Sequence, residues 1–117
     1  MPNVAIVTDS IADLPPDVAD ELGITVVPLI VRFGTDVYRD GLDLTPGQFY
    51  DKLKKSKVLP VTSVPSPATF ADAYDKLAEK TSQVLVITIT AKLSATYQVA
   101  LQSVGLMKKP CRVEVLD

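Results

Sequence analysis

Apolar residues recur along this chain in two rhythms, and each change of rhythm marks an element boundary. Asn3 to Thr8 is a short apolar, β-branched run that reads as a strand, and the polar pair Asp9-Ser10 halts it. Asp13 then precedes Leu14-Pro15-Pro16. That order is a helix-start signal, because the N–H that proline lacks costs nothing in a first turn. Val18, Ala19 and Leu22 give the short helix one apolar side, and Gly23 is placed to end it. Ile24 to Phe33 is a second β-rich run, with Pro28 expected at an edge or bulge because proline cannot donate to a ladder. Gly34-Thr35 reads as a turn and Asp36 to Arg39 as a short return strand.

Thr45-Pro46 is a second cap-and-proline start, followed at helical spacing by Phe49, Tyr50 and Leu53. Lys52, Lys54, Lys55 and Lys57 crowd the end of that helix, where the dipole favours cations; the plain reading is a solvated helix end. Ser66-Pro67 repeats the start signal, and Phe70, Ala71, Tyr74, Leu77 and Ala78 form a one-sided stripe behind it. Val84 to Ile89 is an apolar run broken only by Thr88, as expected of a central parallel strand buried on both faces. Ser94 is expected to cap a last helix, with Ala95 early inside it and Tyr97, Ala100, Leu101 and Val104 on one side. The aromatic residues Tyr50, Phe70, Tyr74 and Tyr97 read most simply as core. Arg112 to Leu116 alternates and β-branches like a final strand. The expected fold is α/β: one lobe over residues 1–117, a mostly parallel sheet with helices on both faces and right-handed crossovers. A chain that stops at Asp117, straight after a strand, fits either a cut piece of a longer protein or a short natural one.

Composition narrows the classes. At 117 residues, 47% hydrophobic and 22% charged, the chain has material for one soluble core. A formal charge of -2 gives no electrostatic reason to expect nucleic acid. The longest apolar runs are too short to span a bilayer, and the start Met1-Pro2-Asn3 has no basic n-region of a signal peptide. The single Cys111 reads as a packing residue at a strand start, excludes an internal disulfide, and fits a reducing cytoplasm. The most informative count is zero histidines, which removes Ser-His-Asp triads, Cys-His pairs and histidine metal sites from this chain.

In open α/β sheets ligands gather beyond the carboxyl ends of the strands, where the winding reverses. The residues to watch are therefore Thr8, Asp9 and Ser10 after the first strand, and Thr88, Thr90 and Ser94 after the buried one. The stretch Pro60 to Pro67 adds Thr62, Ser63 and Ser66. Hydroxyls and free N–H groups at helix starts suit an anion, a carboxylate or a phosphate. A Gly-rich phosphate loop and a G-x-G-x-x-G fingerprint are both missing. Plain structural readings stand beside these. Ser94 and Ser66 are good caps, Asp9 and Ser10 suit a loop backbone, and Thr62-Ser63 suits an extended connector.

Several segments in order resemble the DegV family. They are Thr8-Asp9-Ser10 with Asp13-Leu14-Pro15, Val27-Pro28-Leu29, Arg39-Asp40-Gly41, Thr62-Ser63-Val64-Pro65-Ser66-Pro67 with Phe70, Ile87 to Leu93, Ser94-Ala95-Thr96-Tyr97-Gln98, and Val115-Leu116-Asp117. That family is built as two α/β lobes with a fatty acid buried between them. Several members are the binding subunit of bacterial fatty acid kinase and present the carboxylate to a separate kinase subunit. The resemblance implies a long-chain fatty acid ligand such as palmitate, with no cofactor, no metal and no catalytic residue. It makes Thr62 and Ser94 the carboxylate ligands, Ser63 a support for Thr62, and Asp9 and Ser10 part of the same cleft. It also implies a cytoplasmic protein, a kinase subunit as partner, and room for peripheral contact with a membrane.

The chain departs from the family at Ala95, where glycine is usual, and at Thr90 and Ala91, where serines are usual. Members are also more than twice as long, so this chain would be the amino-terminal lobe and carry half the pocket. Two other classes of function stay open at this point. One is a phosphatase or acyl hydrolase with Asp9 as acid or nucleophile, although the Asp-x-Asp pattern fails at Ile11. The other is a structural interaction module.

Overall fold

Pro28 divides the apolar run Ile24–Phe33 between two different sheets, because it has no N–H to carry a ladder across. The computed structural model describes residues 4–117, so the strand start expected at Asn3 lies outside the described residues. Before the proline, β1 (Ala5–Asp9) and β2 (Thr25–Val27) pair in parallel; α1 (Pro16–Leu22) connects them. After it, β3 (Ile30–Phe33) pairs antiparallel with β4 (Asp36–Arg39) and with β5 (Val61–Ser63). Between β4 and β5 lies α2 (Pro46–Lys55). The chain then returns to the first sheet through α3 (Pro67–Ala78), β6 (Gln83–Ile87), α4 (Thr96–Gln102) and β7 (Arg112–Leu116). The result is a parallel sheet in the order β2-β1-β6-β7 and a small antiparallel sheet in the order β4-β3-β5.

Helix ends follow local chemistry, with two corrections. Thr45 and Gln48 form a reciprocal capping box on α2, and Ser66 accepts the Thr69 N–H at the start of α3. Gly23 closes α1 at φ 68, and Gly41 takes φ 82 in the turn between β4 and α2, a conformation that disfavours any side chain. Asp13, however, does not cap α1. It ends a short 3-10 turn over Ser10–Ala12, and Pro15 occupies the cap position with no side-chain bond. The last helix likewise starts later than expected: Ala95 is its cap residue rather than an early helical one, and Ser94 lies just outside.

Each sheet has its own core. Val7, Val27, Val84 and Val86 pack against Phe70 and Tyr74 of α3 and Ala100 of α4. Val31, Phe33 and Leu44 form the second cluster, covered by Phe49 and Leu53 of α2 and by Tyr38. Tyr50 is not core: α2 lies on a sheet of three strands with only its Phe49/Leu53 side, which leaves Tyr50 59% exposed. Tyr97 is half-buried, while Phe70 and Tyr74 are fully buried as expected. Lys52 is also more than a solvated end, since its ammonium lies over the Phe33 and Tyr38 rings at 5.6 and 5.3 Å.

β6 is not buried on both faces. Val84 and Val86 point to the core, whereas Ile87 is 40% exposed. The handedness of the crossovers explains this. Connections that step in opposite directions lie on opposite faces, so α3 and α4 cover one side and α1 serves β1 and β2 on the other. The outer side of β6 and β7 stays open, with Arg112 and Glu114 paired on it at 3.1 Å. Cys111 sits just before β7, half-buried against the first core, and burial pushes its thiol upward from the ordinary value.

Tyr74 donates its phenol to the Ala100 carbonyl at 2.9 Å, and burial pushes the phenol well above its ordinary value. In the unfolded chain tyrosine ionises near pH ~10. A raised folded value means the folded chain keeps its proton where the unfolded chain loses it. The contribution is therefore complete below about pH 10 and is lost as pH rises beyond it. Tyr74→Phe should cost about 1 kcal/mol at neutral pH and show a shallower alkaline loss than the parent. Urea unfolding at pH 7 and above pH ~10 checks both, and identical alkaline slopes would contradict the burial of the phenol.

Candidate functional site

The parallel sheet reverses its winding between β1 and β6. The step from β1 to β2 runs one way along the sheet, and the step from β6 to β7 runs the other. Neighbouring strands whose connections leave in opposite directions open a crevice at their carboxyl ends. Here the crevice is about 170 Å³ and is lined by Thr8, Asp9, Ile11, Ala12, Ile87, Thr88 and Ile89. Sites that enclose a drug-sized ligand run from about 300 to 1,000 Å³. This hollow is therefore smaller than a site that encloses such a ligand.

Asp9 closes the floor. It is 1% exposed, and its two carboxylate oxygens accept from Ile11 N–H at 3.0 Å and Ile89 N–H at 2.8 Å. Thr8 donates its hydroxyl to the Ile87 carbonyl at 2.8 Å, tying the same two strand ends. On the far side, Thr88 N–H donates to the Leu116 carbonyl at 3.1 Å and Ala91 N–H to an Asp117 carboxylate oxygen at 2.9 Å. The segment 88–94 is thus held from both flanking strands. Asp9 supplies a negative charge to the crevice, and no Lys or Arg is among its lining residues. Among the described residues no group of acidic and Cys side chains could hold a metal ion.

The other expected site residues surround this crevice without lining it. Ser10 accepts the Leu29 N–H at 3.0 Å, so it joins the carboxyl end of β1 to the strand-switching segment after Pro28. Ser94 accepts the Thr96 N–H at 3.1 Å and pairs with the Thr96 hydroxyl at 2.8 Å. It is a turn residue ahead of α4 and half-buried. Thr62 and Ser63 lie on β5, exposed, opposite Val31 and Ile30. Since Asp9 pairs with Val27 and β3 follows three residues later, the small sheet leaves from the same end of the parallel sheet as the crevice. Topology thus gathers Asp9, Ser10, Ser94, Thr62 and Ser63 at one end of the fold.

Two contributors were not singled out from sequence. Thr96 is fully buried beneath Ser94, and its signal was the hydroxyl pair two residues apart in Leu93-Ser94-Ala95-Thr96. Asp117 anchors Ala91, and no local pattern announces such a contact. The rival use of Asp9 as a nucleophile meets a geometric obstacle. Both oxygens are already occupied by backbone N–H groups, and almost none of the side chain is open to attack.

A family model described as an uncharacterised protein of the DegV family matches residues 3–117. A DegV domain-containing protein of Halalkalibacterium halodurans is 41% identical over 92% of this chain and 38% of its own length. One of Caldanaerobacter subterraneus is 38% identical over 100% of this chain and 41% of its own length. Among solved structures, a fatty-acid-binding DegV family protein from Thermus thermophilus superposes with a TM-score of 0.86 at 39% identity, covering 98% of this chain and 40% of that one. A stearic-acid-binding protein from Eubacterium ventriosum gives 0.89 at 32% identity, covering 97% and 41%. The chain therefore spans about two fifths of the length of the relatives it matches.

Ser10→Ala removes the acceptor of the Leu29 N–H at the joint between the sheets. It should cost about 1 kcal/mol, the usual loss for one partly buried hydrogen bond. Chemical denaturation gives the number, and a neutral substitution would mean that the joint is held by Pro28 and packing alone.

Proposed function

This chain belongs to the DegV family, and from that premise we propose that it supplies one side of a long-chain fatty acid site. The hydroxyls of Thr62 and Ser94 receive the carboxylate and Ser63 supports Thr62; Asp9 lines the crevice at that end of the sheet, and Ser10 stands beside it. The observation that carries this reading is the likeness, over nearly the whole chain, to solved proteins that bind fatty acids. The ligand is an acid such as palmitate. The rest of the full-length protein supplies the other wall, and a separate kinase subunit takes the exposed head group for phosphorylation. No helix among the described residues is long and apolar enough to cross a membrane.

Magnitudes divide the work between tail and head. Roughly 15 methylenes at about 0.8 kcal/mol each set a ceiling near ~12 kcal/mol, from which association and ordering costs are subtracted. Each hydrogen bond to a charged carboxylate contributes about 1.5–3 kcal/mol. The tail sets affinity and the hydroxyls set orientation. Neutral hydroxyls also leave the carboxylate nucleophilic, which suits a carrier whose chemistry happens on its partner. The occupied oxygens of Asp9 speak against the hydrolase alternative.

Two outcomes are expected. Solvent extracts of the full-length parent, purified from lipid-replete cells, should contain a long-chain acid near one per protein by mass spectrometry; empty extracts would contradict the carrier. Thr62→Ala should weaken binding of a C16 acid about tenfold, the worth of one charge-assisted hydrogen bond. Its unfolding temperature should stay unchanged, because Thr62 is exposed on β5. Unaltered affinity would remove Thr62 from the site.

A further inference from the structure

We infer that Asp9 is the positioning residue of this crevice, a side-chain continuation of the β1–β6 ladder that sets the segment 88–94, and not a group that touches the ligand. This rests on the fatty acid reading proposed above and deepens it. The ladder between β1 and β6 ends at the pair Thr8 and Ile87. Beyond that pair the backbones part, and the Asp9 carboxylate spans the gap to Ile89 N–H at 2.8 Å while its other oxygen holds Ile11 N–H at 3.0 Å. A charged acceptor makes stronger bonds to backbone N–H than a neutral one. One buried carboxylate thereby fixes both loops that border the crevice. Asp117, just past β7, holds Ala91 N–H of the same segment from the other side at 2.9 Å. Ser94, at the end of this segment, inherits its placement from these two tethers.

Charge makes the inference testable by sign. A carboxylate that merely lined the cleft would repel an anionic head group, and removing its charge would tighten binding. A carboxylate that positions the loop would do the reverse. In Asp9→Asn one amide oxygen can still accept one N–H, but the NH2 group meets the other donor, so one tether is lost. A head-group effect of this kind takes the same factor from every acyl length.

The experiment uses the full-length parent, with titrations of C12 and C16 acids and hydrogen exchange at Ile11 and over residues 88–94, in Asp9→Asn and in Asp117→Asn. Both variants should bind about tenfold more weakly, by the same factor for the two acids, with exchange at the released N–H faster by about tenfold. Asp117 is exposed, so its variant remains informative if Asp9→Asn fails to fold. Tighter or unchanged binding by a folded Asp9→Asn would overturn the inference, as would unchanged exchange at Ile89 and Ile11. If the parent binds no fatty acid, the carrier reading fails on its own, and exchange at Ile89 and Ile11 then judges the tether.

Discussion

Right-handed crossovers allow connections from neighbouring parallel strands to diverge only if their helices take opposite faces of the sheet. The reversal between β1 and β6 is where this chain meets that constraint, and the other features follow from it. With α3 and α4 on one face, the valines of β1, β6 and β7 pack in a single layer against Phe70, Tyr74 and Ala100. The two strand ends then separate with no helix between them. Polar side chains take over where the ladder stops: Thr8 to Ile87, Asp9 to Ile89, Thr88 to Leu116. A crevice that begins as a consequence of chain topology is thus lined with groups already committed to holding it open.

That commitment shapes the chemistry available. Asp9 is a buried acceptor with both oxygens engaged, so it offers structure and charge rather than a free nucleophile. A hollow of about 170 Å³ is smaller than a site that encloses a drug-sized ligand. The small antiparallel sheet, with its separate core and exposed Thr62 and Ser63, stands at the same end of the molecule. Under the proposed carrier reading the two walls would do different work: one would orient the carboxylate through hydroxyls, and the apolar surface of the complete protein would hold the tail.

Much of this was legible in the sequence, for reasons that can be assigned residue by residue. Thr45-Pro46 and Ser66-Pro67 announced helix starts because capping and proline geometry are local chemistry. Ile24 to Phe33 reads as one run with Pro28 at an edge or bulge, whereas the chain changes sheet there, an outcome that depends on partners far along the chain. Ser94 reads as a cap and its hydroxyl does serve a backbone N–H, that of Thr96 two residues on, yet the cap position itself falls one residue later, at Ala95. Tyr50 kept helical spacing with Phe49 and Leu53 and still faces outward, since a three-stranded sheet is too narrow to cover it. Spacing reports which residues share a side, and only tertiary packing decides how wide that side is. The role of Asp9 was the least legible, because its partner Ile89 is 80 residues away.

A crystal structure of the full-length parent with a C16 acid measures the central claim most directly, through the distances from the ligand carboxylate to Thr62 Oγ1 and Ser94 Oγ. Both should fall within hydrogen-bonding reach, about 2.5–3.0 Å, with the Asp9 carboxylate still on Ile11 and Ile89 and not on the ligand. A head group bound at the amino ends of the parallel strands, or one seated at the crevice without either hydroxyl, would contradict it.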